Sequence, residues 1–241
     1  MRRLFGLFLI VLLHAVFLFV GDILVTYAIL GVPLYVMRNL SVRRLCQCAF
    51  GFWLLSVFTQ SLLEFFVSYL PAPDANHTQN LVTLHQTGSF SAILENRVSD
   101  RISPYIITPL LFAPEVMGMF LLGLAVAKTC SATGLDIVKP KARKIAFYLW
   151  LPALVGNGLY ALTSFSGDTS TSGAMLALAM RGAFVPMLTL TYLSIAALVL
   201  DRPRVAFVAA LLGGEGRLSL SIYIGESLLM GFIALSYGLG L

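Results

Sequence analysis

The sequence predicts an all-α fold, a polytopic bundle of transmembrane helices. Of its 241 residues, 59% are hydrophobic and only 11% are charged, so its apolar surface exceeds what one soluble core can bury. Apolar stretches long enough to cross a bilayer recur along the chain, and the basic residues lie in short clusters between them. Such clusters are typical of the loops that orient a chain in a membrane. The net charge of +5 is therefore interpreted as a membrane signal, and no nucleic-acid partner is expected.

The first element is a helical hairpin over residues 1–37. Between Leu4 and Met37 the single charged residue is Asp22, and an apolar run of this length exceeds the roughly 20 residues of one straight span. The chain must therefore reverse. Gly21 permits a tight turn and Asp22 can cap the second arm, which predicts arms at 4–19 and 23–37 with His14 about two turns below the tip. The start of the chain is also typical of a signal peptide, but without a convincing cleavage site a retained signal-anchor helix is preferred.

Further spans follow from the remaining apolar stretches. The polar stretch 71–103 is too long for a simple connector and predicts a functional loop, in which 90–98 forms an interfacial helix. The stretch 205–212 is too short to cross a membrane and predicts a half-helix or re-entrant piece that ends at Gly213-Gly214. With the hairpin, these elements predict one transmembrane domain over 1–241 with about seven spans. The five spans after the hairpin are 46–70, 104–127, 145–165, 175–200 and 218–237.

The distribution of basic residues predicts the orientation of the chain. All 16 lysines and arginines except Arg97, Arg101 and Arg181 fall on one side of these spans. By the positive-inside rule that side is the cytoplasm. The N-terminus is then expected inside the cell, and the hairpin tip, the 71–103 loop and the C-terminus outside the cytoplasm.

Polar side chains within the predicted spans form the candidate site. An ionised group at the middle of a bilayer costs on the order of 3 kcal/mol even on lenient scales, so such groups must pair, line a wet cavity or be protonated. A polar pocket open to the outside satisfies them together. The alternative is that they only lock helices together by hydrogen bonds, but intramembrane ionisable groups favour the functional interpretation. The candidates are His14, Asp22, Glu64, Glu115, Asn157 and Arg181.

No metal site is expected from the cysteines and histidines. Cys46-x-Cys48 and Cys130 lack both a disulfide framework and zinc-ligand spacing, and two loop histidines, His77 and His85, have no further ligands near them in sequence. The stretch 213–217 has the look of a phosphate-cradling loop, but it follows no strand and lacks the spacing of known phosphate-binding motifs. It is interpreted as a helix break beside a cytoplasmic arginine, Arg217.

Several short motifs are spread along nearly the whole chain. They are Arg2-Arg3-Leu4, His14-Ala15, 21–24, 27–31, Gly88-Ser89-Phe90 with Glu95 and Arg97, 117–123, 216–223 and Glu226-Ser227. Together these motifs resemble the YeiB-like family of bacterial inner-membrane proteins. Two departures are Ile222 and Glu226, where the family usually has Asn and Gln. Family members are longer at the N-terminus by about a further pair of spans. The resemblance thus implies a truncated member, or a short variant whose missing spans come from a partner or a second copy.

The resemblance also implies an activity. The family is grouped with membrane acyltransferases, which move an acyl group from a cytoplasmic acyl-CoA to an acceptor on the outer side. This grouping implies His14 as the base or transient acyl carrier, Asp22 as its orienting partner and Arg217 as a contact for a phosphate of the donor. The other candidates, Glu64, Glu115, Asn157 and Arg181, then bind the acceptor. Acyl-CoA is then expected as a co-substrate, and no bound cofactor is expected. The protein is expected in the bacterial inner membrane, where it could form a homo-oligomer.

Two other functions remain open from the sequence. The first is a proton- or cation-coupled transporter, or an export or resistance factor, in which Asp22, Glu64, Glu115 and Glu226 relay ions. Transporters of this kind usually have an internal repeat with broken helices in matching positions, and the sequence predicts one break without a second copy. The second is a truncated, non-catalytic member that only assembles with other proteins.

Overall fold

A computed structural model defines the fold for most of the chain. It describes residues 23–67, 76–99, 102–165, 170–200 and 202–240, together with Gly6, Leu9, Ile10, Leu13, His14 and Phe17 of the first segment. Within these ranges the side chains at 63–67, 77–78, 97–99, 102–111, 133 and 135 are not described. All six of those early residues have helical backbone. The predicted turn at Gly21-Asp22 lies outside the described residues.

The described part of the chain contains eight α-helices and no strand, which confirms the all-α class. Short 3₁₀ turns precede the sixth and eighth helices, at Leu135–Ile137 and Pro203–Val205. Gly134 follows the fifth helix with φ +79°, and its N–H donates to the carbonyl of Cys130 at 2.8 Å, as in a left-handed C-terminal cap. The helices are α1 (Leu24–Met37), α2 (Val42–Val67), α3 (His77–Thr87), α4 (Phe90–Ser99), α5 (Ile102–Thr133), α6 (Lys139–Phe165), α7 (Thr171–Val199) and α8 (Ala206–Ala234).

Five of the described segments are long and apolar enough to cross a membrane. They are Val42–Leu62, Phe112–Ala132, Lys139–Phe165, Thr171–Val199 and Pro203–Ala234, and they correspond to the five spans predicted after the hairpin. A helix is confirmed at the position predicted for the second arm of the hairpin; it is α1, which is apolar but only 14 residues long. The hairpin itself stays a prediction. Most of the first arm lies outside the described residues.

The chain divides into two compact units, which are described separately. Unit 1 comprises 1–31, 71–110 and 211–241, and unit 2 comprises 32–70 and 111–210. The prediction of a single transmembrane domain over 1–241 stays a prediction.

The helix break predicted at Gly213-Gly214 is wrong. Helix α8 continues through both glycines from Ala206 to Ala234. A glycine costs a helix about 1 kcal/mol relative to alanine, but a broken helix at membrane depth leaves backbone groups that nothing in hydrocarbon can satisfy. The continuous helix is therefore preferred, and Arg217 lies on a helix rather than on a phosphate-cradling loop.

In unit 1 the predicted loop is mostly helical. The helix predicted at 90–98 is confirmed as α4, and α3 precedes it without having been predicted. The C-terminal turn packs on these helices, since Ser236 donates its N–H to the carbonyl of His85 at 2.7 Å and its hydroxyl to the carbonyl of Gly88. The ring of Tyr237 meets that of Phe90 edge to face, with centroids 5.5 Å apart. The polar stretch is thus tied to the end of the chain.

In unit 2, helix α7 starts earlier than predicted. Its N-cap is Ser170, whose hydroxyl accepts from the N–H of Gly173 at 3.1 Å, so the helix starts at Thr171 rather than at 175. Arg181 therefore lies about 15 Å along the helix axis, at 1.5 Å per residue.

Helices α6 and α7 approach closely at Gly156. A Cβ added to Gly156 would lie 2.1 Å from Cγ of the Phe184 ring, so only a residue without a side chain fits opposite this ring. Small residues at helix crossings are the usual means of close packing in membranes. This contact aligns the two helices that carry Asn157 and Arg181.

We expect Gly156→Ala to lower the melting temperature of the protein in detergent. The added methyl group must displace the Phe184 ring or separate the helices, which costs roughly 1–3 kcal/mol in a well-packed interior. Gly158→Ala is the matched control, because it lies on the same helix with nothing within 4 Å of the added Cβ. Equal melting temperatures for the two variants would contradict the close packing.

Candidate functional site

The candidate site lies in unit 2, where α2 packs against α5 and α7. A Cβ on Gly118 of α5 would stand 3.2 Å from the carbonyl oxygen of Ala49, and one on Gly182 of α7 would stand 3.2 Å from Cα of Val57. Both distances are tighter than ordinary contacts, so the two glycines bring their helices close to α2. The buried positions of α2 recur at helical spacing and form one stripe along this interface. They are Leu45, Ala49, Ser56 and Gln60.

Three polar side chains from three helices meet at this interface and are called here the Arg181 cluster. Nη1 of Arg181 donates to Oε1 of Gln60 at 2.5 Å and to Oε2 of Glu115 at 3.2 Å. Nε2 of Gln60 donates to the same Oε2 at 2.9 Å. Gln60, which is 1% exposed, thus bridges the ion pair: its amide oxygen accepts from Arg181, and its amide nitrogen donates to Glu115.

The electrostatics of the cluster are balanced. The formal charges of Arg181 and Glu115 cancel, and the guanidinium also lies over the ring of Phe112, with Cζ 4.8 Å from the ring centroid. A π face attracts a cation at this range. The cluster therefore carries no net formal charge, whereas an isolated charge within a membrane would be costly.

A proline in α7 explains a further contact next to the cluster. Pro186 has no N–H, so it cannot donate to the carbonyl of Gly182 one turn earlier. The indole Nε1 of Trp53 supplies the missing donor at 2.9 Å. This bond links α2 to α7 one residue from Arg181 and helps to hold the cluster in register.

Asn157 joins α6 to α7 through backbone groups. Its Nδ2 donates to the carbonyl of Ala153 at 2.7 Å, within α6, and to that of Phe184 at 2.9 Å, on α7. The bond to Phe184 links α6 to α7 beside the helix crossing at Gly156. A role for Asn157 in substrate binding stays a prediction.

A mostly apolar cavity of about 350 Å³ lies beside the Arg181 cluster. Its walls come from α2, α5, α6 and α7, and they include the aromatic rings of Phe50 and Trp53 and the thiol-bearing residue Cys46. Among the described residues that line it, Glu115 carries the single charge. The lining is thus apolar except at Glu115, which belongs to the Arg181 cluster.

In unit 1, His14 is 2% exposed. Its ring lies against that of Tyr223 on α8, with centroids 5.1 Å apart and an angle of 39° between the planes. Asp22 lies outside the described residues, so its predicted pairing with His14 stays a prediction. Arg217 and Glu226, also on α8, are exposed.

The structure brings together two of the predicted site residues, Glu115 and Arg181. The side chain of Glu64 lies outside the described part of the chain, and the predicted common pocket with His14 and Asp22 stays a prediction. Sequence reasoning missed Gln60 and Trp53. Spacing could have indicated Gln60, because it continues the stripe of Ala49 and Ser56 through a span that otherwise consists mainly of apolar residues.

We expect Arg181→Met to destabilise the protein by at most about 3–5 kcal/mol, because it leaves the partly buried Glu115 carboxylate without its cation. Adding Glu115→Leu should recover most of this loss, since the second change removes the stranded charge. Both are measured as thermal or denaturant unfolding in detergent.

The exposed pair of Lys139 and Asp136 provides the control. Its Nζ and Oδ1 lie 2.8 Å apart, as in a good ion pair, but the Asp136 side chain is 91% exposed. Lys139→Met should therefore cost at most about 1 kcal/mol. Losses for Arg181→Met and Glu115→Leu that simply add in the double variant would show that the two charges do not interact.

The comparisons with known proteins find similarity to proteins of unknown function. Residues 135–241 match the family model "Protein of unknown function (DUF418)", which is the YeiB-like family that the motifs resemble. A Bacillus subtilis (strain 168) protein, "Uncharacterized protein YxaH", is 29% identical over 258 aligned positions, which cover 100% of this chain and 60% of that protein. The chain thus spans about three fifths of the length of this relative. No solved structure matches the chain. The chain is therefore an all-helical membrane protein with DUF418 similarity in its last three helices.

Proposed function

We propose that the chain is an acyltransferase-like protein of the bacterial inner membrane, which moves an acyl group from a cytoplasmic donor to an acceptor on the other side. His14 is the observation that carries this proposal. It is one of three histidines in the chain and is buried in a strongly apolar segment. Histidine has an unperturbed pKa near neutrality, which suits a base that takes a proton from an acceptor hydroxyl.

The other candidate residues are assigned by chemistry. Asp22 orients the imidazole of His14 or stabilises its protonated form. Arg217, exposed on α8, holds a phosphate of an acyl-CoA by charge-assisted hydrogen bonds.

A second candidate function is ion-coupled transport or export. The ion pair of Arg181 and Glu115 favours it, because charged residues within apolar helices mark ion and proton pathways in many transporters. In that function Glu115 alternates between Arg181 and a transported cation. The two functions differ in what they require of His14.

We expect His14→Ala to reduce acyl transfer by at least roughly 10²-fold, because a general base contributes about 10²–10⁴-fold to rate. The assay is turnover of acyl-CoA by the full chain in nanodiscs, with thermal unfolding as the check on folding. His85→Ala is the control, since it removes another histidine of unit 1 whose contact with Ser236 runs through its backbone. Arg217→Ala should weaken donor affinity, whereas Arg204→Ala, at another exposed basic position, should not.

The result that contradicts this proposal is specific. If the wild-type chain neither binds nor hydrolyses acyl-CoA, and Glu115→Gln abolishes a proton- or cation-coupled flux in liposomes, transport replaces acyl transfer. If His14→Ala retains full transfer, the base lies elsewhere in the chain.

We further propose that the polar stretch containing α3 lies outside the cytoplasm, as the distribution of basic residues indicates. Gln86 is exposed on α3. In a background where the three native cysteines are replaced by alanine, Gln86→Cys should react with an impermeant maleimide in intact cells. Lys141→Cys, exposed on the opposite predicted side, should react only after lysis. The reverse pattern would invert the orientation.

A further inference from the structure

The cavity of unit 2 has no role in the proposed acyl transfer, which rests on His14 in unit 1. On α2 its lining runs from Cys46 to Trp53, and on α5 from Leu122 to Glu115. The first and last residues of each range are seven positions apart, or about 10 Å along the helix. The cavity therefore extends for about two helical turns and has Glu115 near one end.

The hydrogen bonds of Glu115 define what the polar end can accept. Both bonds from described residues, those of Gln60 and Arg181, end on Oε2. Oε1 accepts no hydrogen bond from the described residues and so keeps its lone pairs for a further donor, and Glu115 is a residue of the cavity lining. Arg181 already balances the charge of the Glu115 carboxylate. A second cation would therefore add a positive charge that nothing compensates, and an anion would be repelled by the carboxylate. A neutral hydroxyl group fits both the charge balance and the free acceptor.

The volume of the cavity limits the size of its ligand. A cavity of about 150 Å³ lined by apolar side chains binds benzene, which has six carbon atoms. In proportion, 350 Å³ holds about 14 non-hydrogen atoms. One alkyl chain of about 12 carbons with a hydroxyl group lies within this limit, whereas a two-chain phospholipid exceeds it.

Comparison with the surrounding bilayer shows which part of a ligand makes binding to the cavity selective. Lipid tails are as apolar as the cavity walls, so an alkyl chain gains little by leaving the bilayer for the cavity. A hydroxyl group, in contrast, finds no acceptor within the hydrocarbon but finds the Glu115 carboxylate in the cavity. We propose that this cavity is a binding site for a neutral, single-chain lipid with a hydroxyl head group, which donates a hydrogen bond to Glu115. The site is independent of the proposed acyl transfer.

The test uses Cys46, an exposed residue of the cavity wall, as a reporter. In the full chain with Cys48→Ala and Cys130→Ala, reconstituted in nanodiscs, the rate of N-ethylmaleimide labelling at Cys46 is measured against increasing 1-dodecanol. Dodecyl methyl ether has the same chain but no donor. A hydrogen bond to a charged group contributes enough for roughly tenfold or more in affinity, so dodecanol should protect Cys46 at a tenfold lower concentration than the ether.

A pair of tryptophan substitutions tests the location of binding. Leu190 of α7 lines the cavity, and Leu190→Trp should fill it and abolish protection by dodecanol. Leu193→Trp lies one turn further on α7 at a position that is 61% exposed and should leave protection unchanged. His14→Ala should also leave it unchanged, so a failure of the proposed acyl transfer is distinguishable from a failure of this site.

Several outcomes would overturn the inference. Equal protection by the ether would mean that any hydrocarbon fills the cavity without Glu115. Stronger protection by dodecylammonium than by dodecanol would make it a cation site, and stronger protection by dodecanoate would make it an anion site. The absence of protection by any of the probes would exclude a ligand of this class. Because all these arms use the unaltered cavity, misfolding of the tryptophan variant does not affect them.

Discussion

The guanidinium of Arg181 sets the arrangement of unit 2, because a cation on a helix that can cross a membrane must find its partners within the protein. Gln60 and Glu115 provide them from two other helices. These side chains reach one another only because glycines let the helices approach. Gly182 follows Arg181, Gly118 lies one turn after Glu115, and both would clash or crowd against α2 if they carried a Cβ. The polar contacts at this interface therefore depend on the close packing of the helices.

The same requirement operates on the backbone. Pro186 removes one hydrogen bond from α7, and the freed carbonyl of Gly182 is satisfied by the indole of Trp53. In water such a carbonyl would simply bind solvent, but at membrane depth it needs a protein donor. The proline thus creates a polar link between α2 and α7, and its ring also contributes to the cavity wall. Pro186 thus accounts both for a hydrogen bond between α2 and α7 and for part of the cavity wall.

The sequence predicted well those features that depend on average composition. The five long spans were identified from hydropathy alone, and Glu115 and Arg181 were recognised because a charge in an apolar stretch stands out. Gln60 and Trp53 were missed because an amide and an indole occur in many spans, and only the positions of their partners reveal their role. The break at Gly213-Gly214 was wrong because local glycine propensity was given more weight than the cost of opening a helix in hydrocarbon. The relation of His14 to Asp22 depends on a turn outside the described residues.

The energetics of the Arg181 cluster bear on why it lies beside a cavity. A buried ion pair is rarely more stable than apolar side chains of similar volume, because the desolvation of both charges offsets their attraction. Leucine and methionine at positions 60, 115 and 181 would pack with lipid-like neighbours at no such cost. Helix registry is one function that polar groups can serve, but Trp53 and Asn157 already link α7 to its neighbours by hydrogen bonds. What the apolar alternative cannot supply is an acceptor at the cavity wall. The cluster holds the Glu115 carboxylate in place by two hydrogen bonds. Because its formal charges cancel, the remaining carboxylate oxygen suits a neutral donor better than a charged one.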